Sequence, residues 1–156
     1  MKSLSDTSTF YGESEASLVA FLADTLIPRT DTPGAIDAVV PQLMDQLYRE
    51  WASVSTQRLH RRQLQSIAQK LADYGGSSSV RDASSRRVQA LRELDAAAFS
   101  NGASASELAD YRAVKSLIID SYYSTESGAT LEHHYVPIPG RWIASAPLSE
   151  IRKLSP

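Results

Sequence analysis

Three histidines could carry acid–base or metal chemistry in this chain, two of them adjacent: His133 and His134, with Glu132 beside them and Glu126 a little upstream. These four residues make the one metal-like cluster in the sequence. Neighbours in an extended segment point to opposite sides, so both rings cannot easily grip one ion. Zinc sites built on two histidines space them to converge, as H-E-x-x-H does on one helix face. Metal binding is therefore the less favoured reading, against one ring packed and the other exposed. His60 stands beside Arg61 and Arg62 and reads as a solvated side chain on a polar helix face rather than a catalytic base. Arg141-Trp142 joins a planar fork, able to clamp a carboxylate or stack on an indole, to an aromatic anchor of the kind protein interfaces use. It reads equally as the outcome of a Pro139-Gly140 turn that aims Trp142 into an apolar pocket. Tyr111, Tyr122 and Tyr123 read as core and helix-end packing.

Other chemistries are missing. The seven glycines, Gly12, Gly34, Gly75, Gly76, Gly102, Gly128 and Gly140, show no spacing that makes a dinucleotide fingerprint or a phosphate loop, and no nucleophile elbow is present. The chain has no cysteine. That excludes disulfides, thiolate zinc sites, iron–sulfur ligation and covalent haem attachment. A net charge of −2 and an isoelectric point near 5.9 argue against a dedicated nucleic-acid binder. The most apolar stretch, Leu18 to Ile27, is broken by Asp24 and Thr25 and falls short of the roughly 18–20 residues of a membrane span. Residues 1–9 carry one basic residue, Lys2, and no signal-peptide pattern.

The elements that would position these residues are helical. With 156 residues, 42% of them apolar, a single domain with a sizeable core is expected. Leu18, Val19, Phe21, Leu22 and Leu26 predict a first helix over about 15–27, ended by Pro28. Thr32 as N-cap and Pro33 at the first helical position predict a second, with Ile36, Val39, Val40, Leu43, Met44, Leu47 and Trp51 on its apolar face. Pro41 inside that pattern calls for a kink or a later start. A third helix is expected over about 56–74, with Leu59, Leu64, Ile67, Ala68 and Leu71 inward, stopped by Gly75-Gly76 and three serines. A fourth spans about 80–99 on Val88, Leu91, Leu94 and Ala98. The capping box Ser104-Ala105-Ser106-Glu107 opens a fifth, running through Leu108, Tyr111, Val114, Leu117 and Ile118 towards Tyr122. After Tyr123 prolines preclude a long helix, yet Tyr135, Val136, Ile138, Trp142 and Leu148 are too apolar for a disordered tail. The expectation is an all-α fold: a compact bundle of about five helices with an extended, proline-rich C-terminal arm. The organisation is a flexible N-terminus over 1–14, a helical domain over 15–123 and an irregular arm over 124–156, packed on the body or on a partner. Charge is uneven along the chain: residues 1–50 hold 3 basic and 8 acidic residues, residues 51–100 hold 8 basic and 4 acidic. The middle third is a solvated helix face or a surface for an acidic protein.

Two separated segments carry a family resemblance. Thr25-Leu26-Ile27-Pro28 with Thr32-Pro33-Gly34-Ala35 resembles the opening of the gluconate 2-dehydrogenase subunit 3 family. Tyr122-Tyr123-Ser124 with Gly128-Ala129 and Tyr135 through Pro139-Gly140-Arg141-Trp142 is similar to that family's closing region. The resemblance implies a small helical subunit without a redox centre of its own. Its partner would be a FAD-dependent flavoprotein dehydrogenase of the glucose–methanol–choline type, which acts on a sugar or sugar acid and needs the small subunit to mature. A cytochrome c subunit often completes such complexes. The setting implied is membrane-associated or periplasmic, with export alongside the partner and the cytoplasm as the alternative. Here the family's cysteines are missing and His133-His134 stands where small or apolar residues are expected.

The leading reading is a non-catalytic accessory subunit with no catalytic, cofactor or metal residue of its own, no membrane span and no nucleic-acid partner. Its interface is expected at Pro28 and Pro33 and at Tyr135, Pro137, Pro139, Arg141 and Trp142, where prolines pre-set the backbone and limit the entropy lost on docking. The rivals are a helical regulatory module for an acidic protein, and a small metal-dependent enzyme using His133, His134 and Glu126.

Overall fold

A computed structural model describes residues 9–76, 82–100 and 108–132. Within them the chain is a compact helical bundle with no strand: α1 (Glu13–Leu26), α2 (Val40–Glu50), α3 (Val54–Gly76), α4 (Ala83–Ala98) and α5 (Ala109–Tyr123), followed by a π-helical turn over Gly128–Glu132. The long α3 packs on α4 and α5, while α2 bridges α1 and α5. The core joins Leu18, Val19 and Leu22 of α1 to Val40 and Met44 of α2, Leu64 and Ile67 of α3, Leu91 and Leu94 of α4, and Tyr111, Val114 and Ile118 of α5.

Local chemistry explains the boundaries. Glu15 reaches back to the Gly12 amide at 3.0 Å, half of a capping box. Ser53 Oγ accepts the Thr56 amide at 3.2 Å and caps α3, and Asp82 accepts the Ser85 amide at 2.8 Å and caps α4. The Asp82 carboxyl is held at about 2 by its hydrogen bonds from Ser84 and Ser85.

Several expectations are corrected. Helix α2 does not open at Thr32-Pro33. Residues 35–39 form turns, and the helix starts at Val40 with Pro41 in its first turn, the later start that Pro41 allows. Val39 ahead of it is left-handed, φ 52° and ψ 32°, a conformation that costs an L-residue about 1–2 kcal/mol. The register of α3 is also shifted. Leu59 is 45% exposed and His60 only 1%, because the buried stripe runs His60, Leu64, Ile67, Leu71 at four- and three-residue steps and Leu59 lies off it. Residues 9–14 are not a loose tail: Phe10 and Tyr11 are buried. After the turn at 124–125, residues 126–132 form helical turns that pack against α5. The capping box at 104–107 and the arm from His133 onward, with Tyr135, Pro137, Pro139, Arg141 and Trp142, lie outside the described residues.

Candidate functional site

The two sequence motifs meet in space. Tyr122, 2% exposed on α5, donates its hydroxyl to the Pro33 carbonyl at 2.7 Å, across 89 positions of chain. Each motif is also folded tightly on itself around a glycine. After α1 the chain doubles back so that the Ala35 amide bonds the Ile27 carbonyl at 2.9 Å, and the Gly34 amide bonds Asp37 Oδ2 at 3.0 Å. Arg29 closes the loop on Asp37 at 3.1 Å. A Cβ on Gly34 would stand 2.6 Å from the Arg29 amide nitrogen and 2.8 Å from the Ile27 carbonyl oxygen. At the other motif Thr125 Oγ1 donates to the Tyr122 carbonyl at 2.6 Å and accepts the Gly128 amide at 3.2 Å. A Cβ on Gly128 would lie 2.2 Å from the Tyr122 carbonyl oxygen. Neither glycine has a positive φ, so close backbone approach rather than conformational freedom demands glycine here.

Of the expected interface residues, Pro28 is exposed at the tip of this loop and Pro33 is half-buried beneath it. Glu126 is exposed in the turn after α5. His133 and His134 lie outside the described residues. Among the described residues no three His, Asp or Glu side chains come together as a ligand set, and no helix is long and apolar enough to cross a membrane.

His60 sits in an aromatic box that the sequence reading did not foresee. Its ring stacks on Tyr48 at 4.0 Å between centroids, 12° from parallel, with Phe10 and Tyr11 beside it. Nε2 is 2.9 Å from the Tyr11 hydroxyl, and Nδ1 has no hydrogen-bond partner. Burial pushes His60 down to about 4, against smaller pulls upward from Gln63 and Glu15. Burial also raises Tyr11 and Tyr48. Both partners in the Tyr11–His60 contact are therefore neutral around pH 7, a pairing that seals a core rather than moves protons. The surrounding bonds pin the entering strand of chain: Arg61 holds Glu15 and the Phe10 carbonyl, each at 2.5 Å, and Asp45 accepts the Tyr11 amide at 2.9 Å. The one sign available in sequence was Phe10-Tyr11 itself, an aromatic pair just ahead of a capped helix.

The expected apolar face of α2 divides into two ridges. Val40 and Met44 are buried and Tyr48 half-buried, facing the core. Val39, Leu43, Leu47 and Trp51, at steps of four, form the neighbouring ridge, where Val39 is 55% and Trp51 80% exposed. Val54, at the start of α3, is exposed as well. Two grooves flank the bundle: one of about 570 Å³ between α1, α3 and the start of α4, floored by Leu18, Leu64 and Leu71 with Arg86 and Arg87 at its edge, and one of about 760 Å³ between α1 and α2, edged by Asp45 and Arg49.

No curated protein and no solved structure matches the chain. The family model for gluconate 2-dehydrogenase subunit 3 does match it, over residues 13–140. That span contains all five helices and both glycine-centred motifs, now seen to close on one another through Tyr122 and Pro33. The chain belongs to the gluconate 2-dehydrogenase subunit 3 family.

Proposed function

We propose that this chain is a non-catalytic subunit that docks on a FAD-dependent flavoprotein dehydrogenase of the glucose–methanol–choline type and supports its maturation and stability. The observation that carries this reading is the family match over residues 13–140, in a family named as one subunit of a dehydrogenase. The character of the described residues supports it. Their most unusual titratable pair, Tyr11 and His60, is sealed in the core and neutral. A flavin's pyrophosphate is usually cradled where a strand passes through a glycine-rich turn into a helix, and the described residues, all helix and turn, do not fit that group. The FAD is accordingly assigned to the partner, which oxidises a sugar or sugar acid and passes electrons on, in one arrangement to a cytochrome c subunit. A membrane-associated or periplasmic setting goes with this reading, and the docking residues would include the exposed Pro28 loop and the 135–142 segment.

The test is co-expression of the tagged chain with a flavoprotein dehydrogenase from its own host. The expected result is a stable complex with flavin absorbance and sugar-dependent dye reduction, both reduced when the small subunit is omitted. A flavoprotein that matures fully without this chain and never co-purifies with it would sink the reading.

A further inference from the structure

We infer that the outer ridge of α2 is the anchor by which this chain holds its dehydrogenase partner: Val39, Leu43, Leu47 and Trp51, continued by Val54. The inference rests on the accessory-subunit reading and goes further, because neither family motif includes Leu43, Leu47, Trp51 or Val54.

The ridge is apolar where an exposed helix face should be polar. A surface helix normally shows one buried stripe, and α2 already has one in Val40 and Met44, both fully buried. The second ridge is only partly covered among the described residues: Leu43 is half-buried and Leu47 39% exposed. It ends in Trp51, the most exposed of the large apolar side chains at 80%, with Val54 at 61% and Val39 at 55%. Val39 is also the one non-glycine residue with a positive φ among the described residues. Glycine or asparagine would adopt that backbone with less strain, so the exposed valine side chain is not explained by the turn it occupies.

Charge points to the kind of surface that covers the ridge. From Trp51 to Ala72 there is no acidic residue, while Arg58, Arg61, Arg62 and Lys70 are present. Arg61 is turned inward onto Glu15. Arg58 and Arg62 are exposed and form no ion pair with a described residue. They follow Val54 at steps of four on α3, so they lie on one face with it. The complementary surface is an apolar pocket for the Trp51 indole with carboxylates at its rim towards Arg58 and Arg62. Tryptophan and arginine are the residues that dominate binding energy when placed this way.

Size sets the role. From Val39 to Trp51 the ridge runs ~18 Å, and at about 10 Å width it covers ~180 Å², roughly a quarter of what each partner contributes to an ordinary stable interface. It therefore makes part of the contact, and neighbouring loops supply the remainder.

Binding of the purified chain to the purified flavoprotein subunit, alongside thermal melting of the free chain, tests this. Wild type, Trp51→Ala, Val39→Asn and the double variant Arg58→Gln/Arg62→Gln are compared. Trp51→Ala is expected to weaken binding roughly thirtyfold, as removal of a hot spot does, and Val39→Asn to weaken it less. Both should melt no lower than wild type. The arginine variant should slow association and flatten its dependence on salt. Unchanged binding by Trp51→Ala overturns the inference while leaving the subunit reading intact. A large drop in the melting temperature of that variant also overturns it, since Trp51 would then be covered by its own chain. So does a wild-type homodimer that Trp51→Ala dissolves and that excludes the flavoprotein. If wild type itself fails to bind any flavoprotein of its host, the subunit reading falls, and this inference with it.

Discussion

His60 should make the stability of the free chain depend steeply on pH. In the unfolded chain its imidazole titrates near the ordinary value of about 6.5; in the folded chain burial holds it down to about 4. As pH falls through 6.5 the unfolded state takes up a proton that the folded state refuses, so stability is lost progressively from 6.5 down to about 4, and none of this contribution is lost above 6.5. A gap of that size is worth up to about 3 kcal/mol, a large part of the 5–15 kcal/mol that typically separates folded from unfolded states. The groups around the ring account for its direction. Tyr48 and Phe10 stack on it and Tyr11 takes up Nε2. Nδ1 has no partner, and Arg61 adds a smaller opposing charge against Glu15.

The assay is urea denaturation of wild type and His60→Gln at constant ionic strength between pH 7 and about pH 4. The two proteins differ at this one position and share every other ionisable group, so the difference between the two curves isolates the imidazole. His60→Gln lowers stability at pH 7 because the stacked ring is lost, and that loss should shrink by about 3 kcal/mol towards pH 4. Parallel curves, with the same loss at every pH, would refute the argument that this ring is buried neutral.

Two further predictions concern the meeting of the motifs. Tyr122→Phe leaves the Pro33 carbonyl without its 2.7 Å donor and should lower stability by about 1–3 kcal/mol, read by thermal or urea melting; a neutral result would mean that water replaces the hydroxyl at no cost. Gly34→Ala and Gly128→Ala push a methyl to within 2.6 Å and 2.2 Å of backbone atoms and should each destabilise by at least about 1–3 kcal/mol, as overpacking does. Gly75→Ala, whose new methyl meets nothing nearer than 3.9 Å inside α3, should stabilise by up to about 1 kcal/mol, so the sign of the change separates contact from propensity.

Helix number and type were legible in the sequence because periodic leucines and caps act locally. Leu64, Ile67 and Leu71 of the expected α3 stripe and Leu91, Leu94 and Ala98 of the α4 stripe are buried as read, while Ala68 is exposed and Val88 half-buried. What stayed hidden depended on contacts between elements. His60 reads as polar until Phe10, Tyr11 and Tyr48 arrive from two other segments to enclose it, and Leu59 reads as core until the same packing turns it outward. Thr32-Pro33 has the local grammar of a helix start, but the loop closes on Gly34 and Asp37 instead and the helix waits for Val40. The candidate interface was half legible. The apolar residues of α2 are legible, but a one-dimensional stripe cannot show that the body fully covers only one of their two ridges and leaves Val39 and Trp51 of the other exposed.

This bears on what the family motifs mean. A motif in a subunit family invites the reading that its residues touch the partner. Here Gly34, Gly128 and Tyr122 are buried and engaged with the chain's own backbone, so these three motif residues close the fold. Substituting them weakens complex formation by destabilising the subunit, and a binding assay alone would misreport them as contacts. Trp51 and Val54 lie outside both motifs and are largely exposed, so their loss leaves the core untouched and can act only where something else meets the surface. Melting temperature measured beside affinity therefore divides the chain into two sets: residues whose substitution lowers both, around the Tyr122–Pro33 junction, and residues whose substitution lowers affinity alone, along the outer ridge of α2.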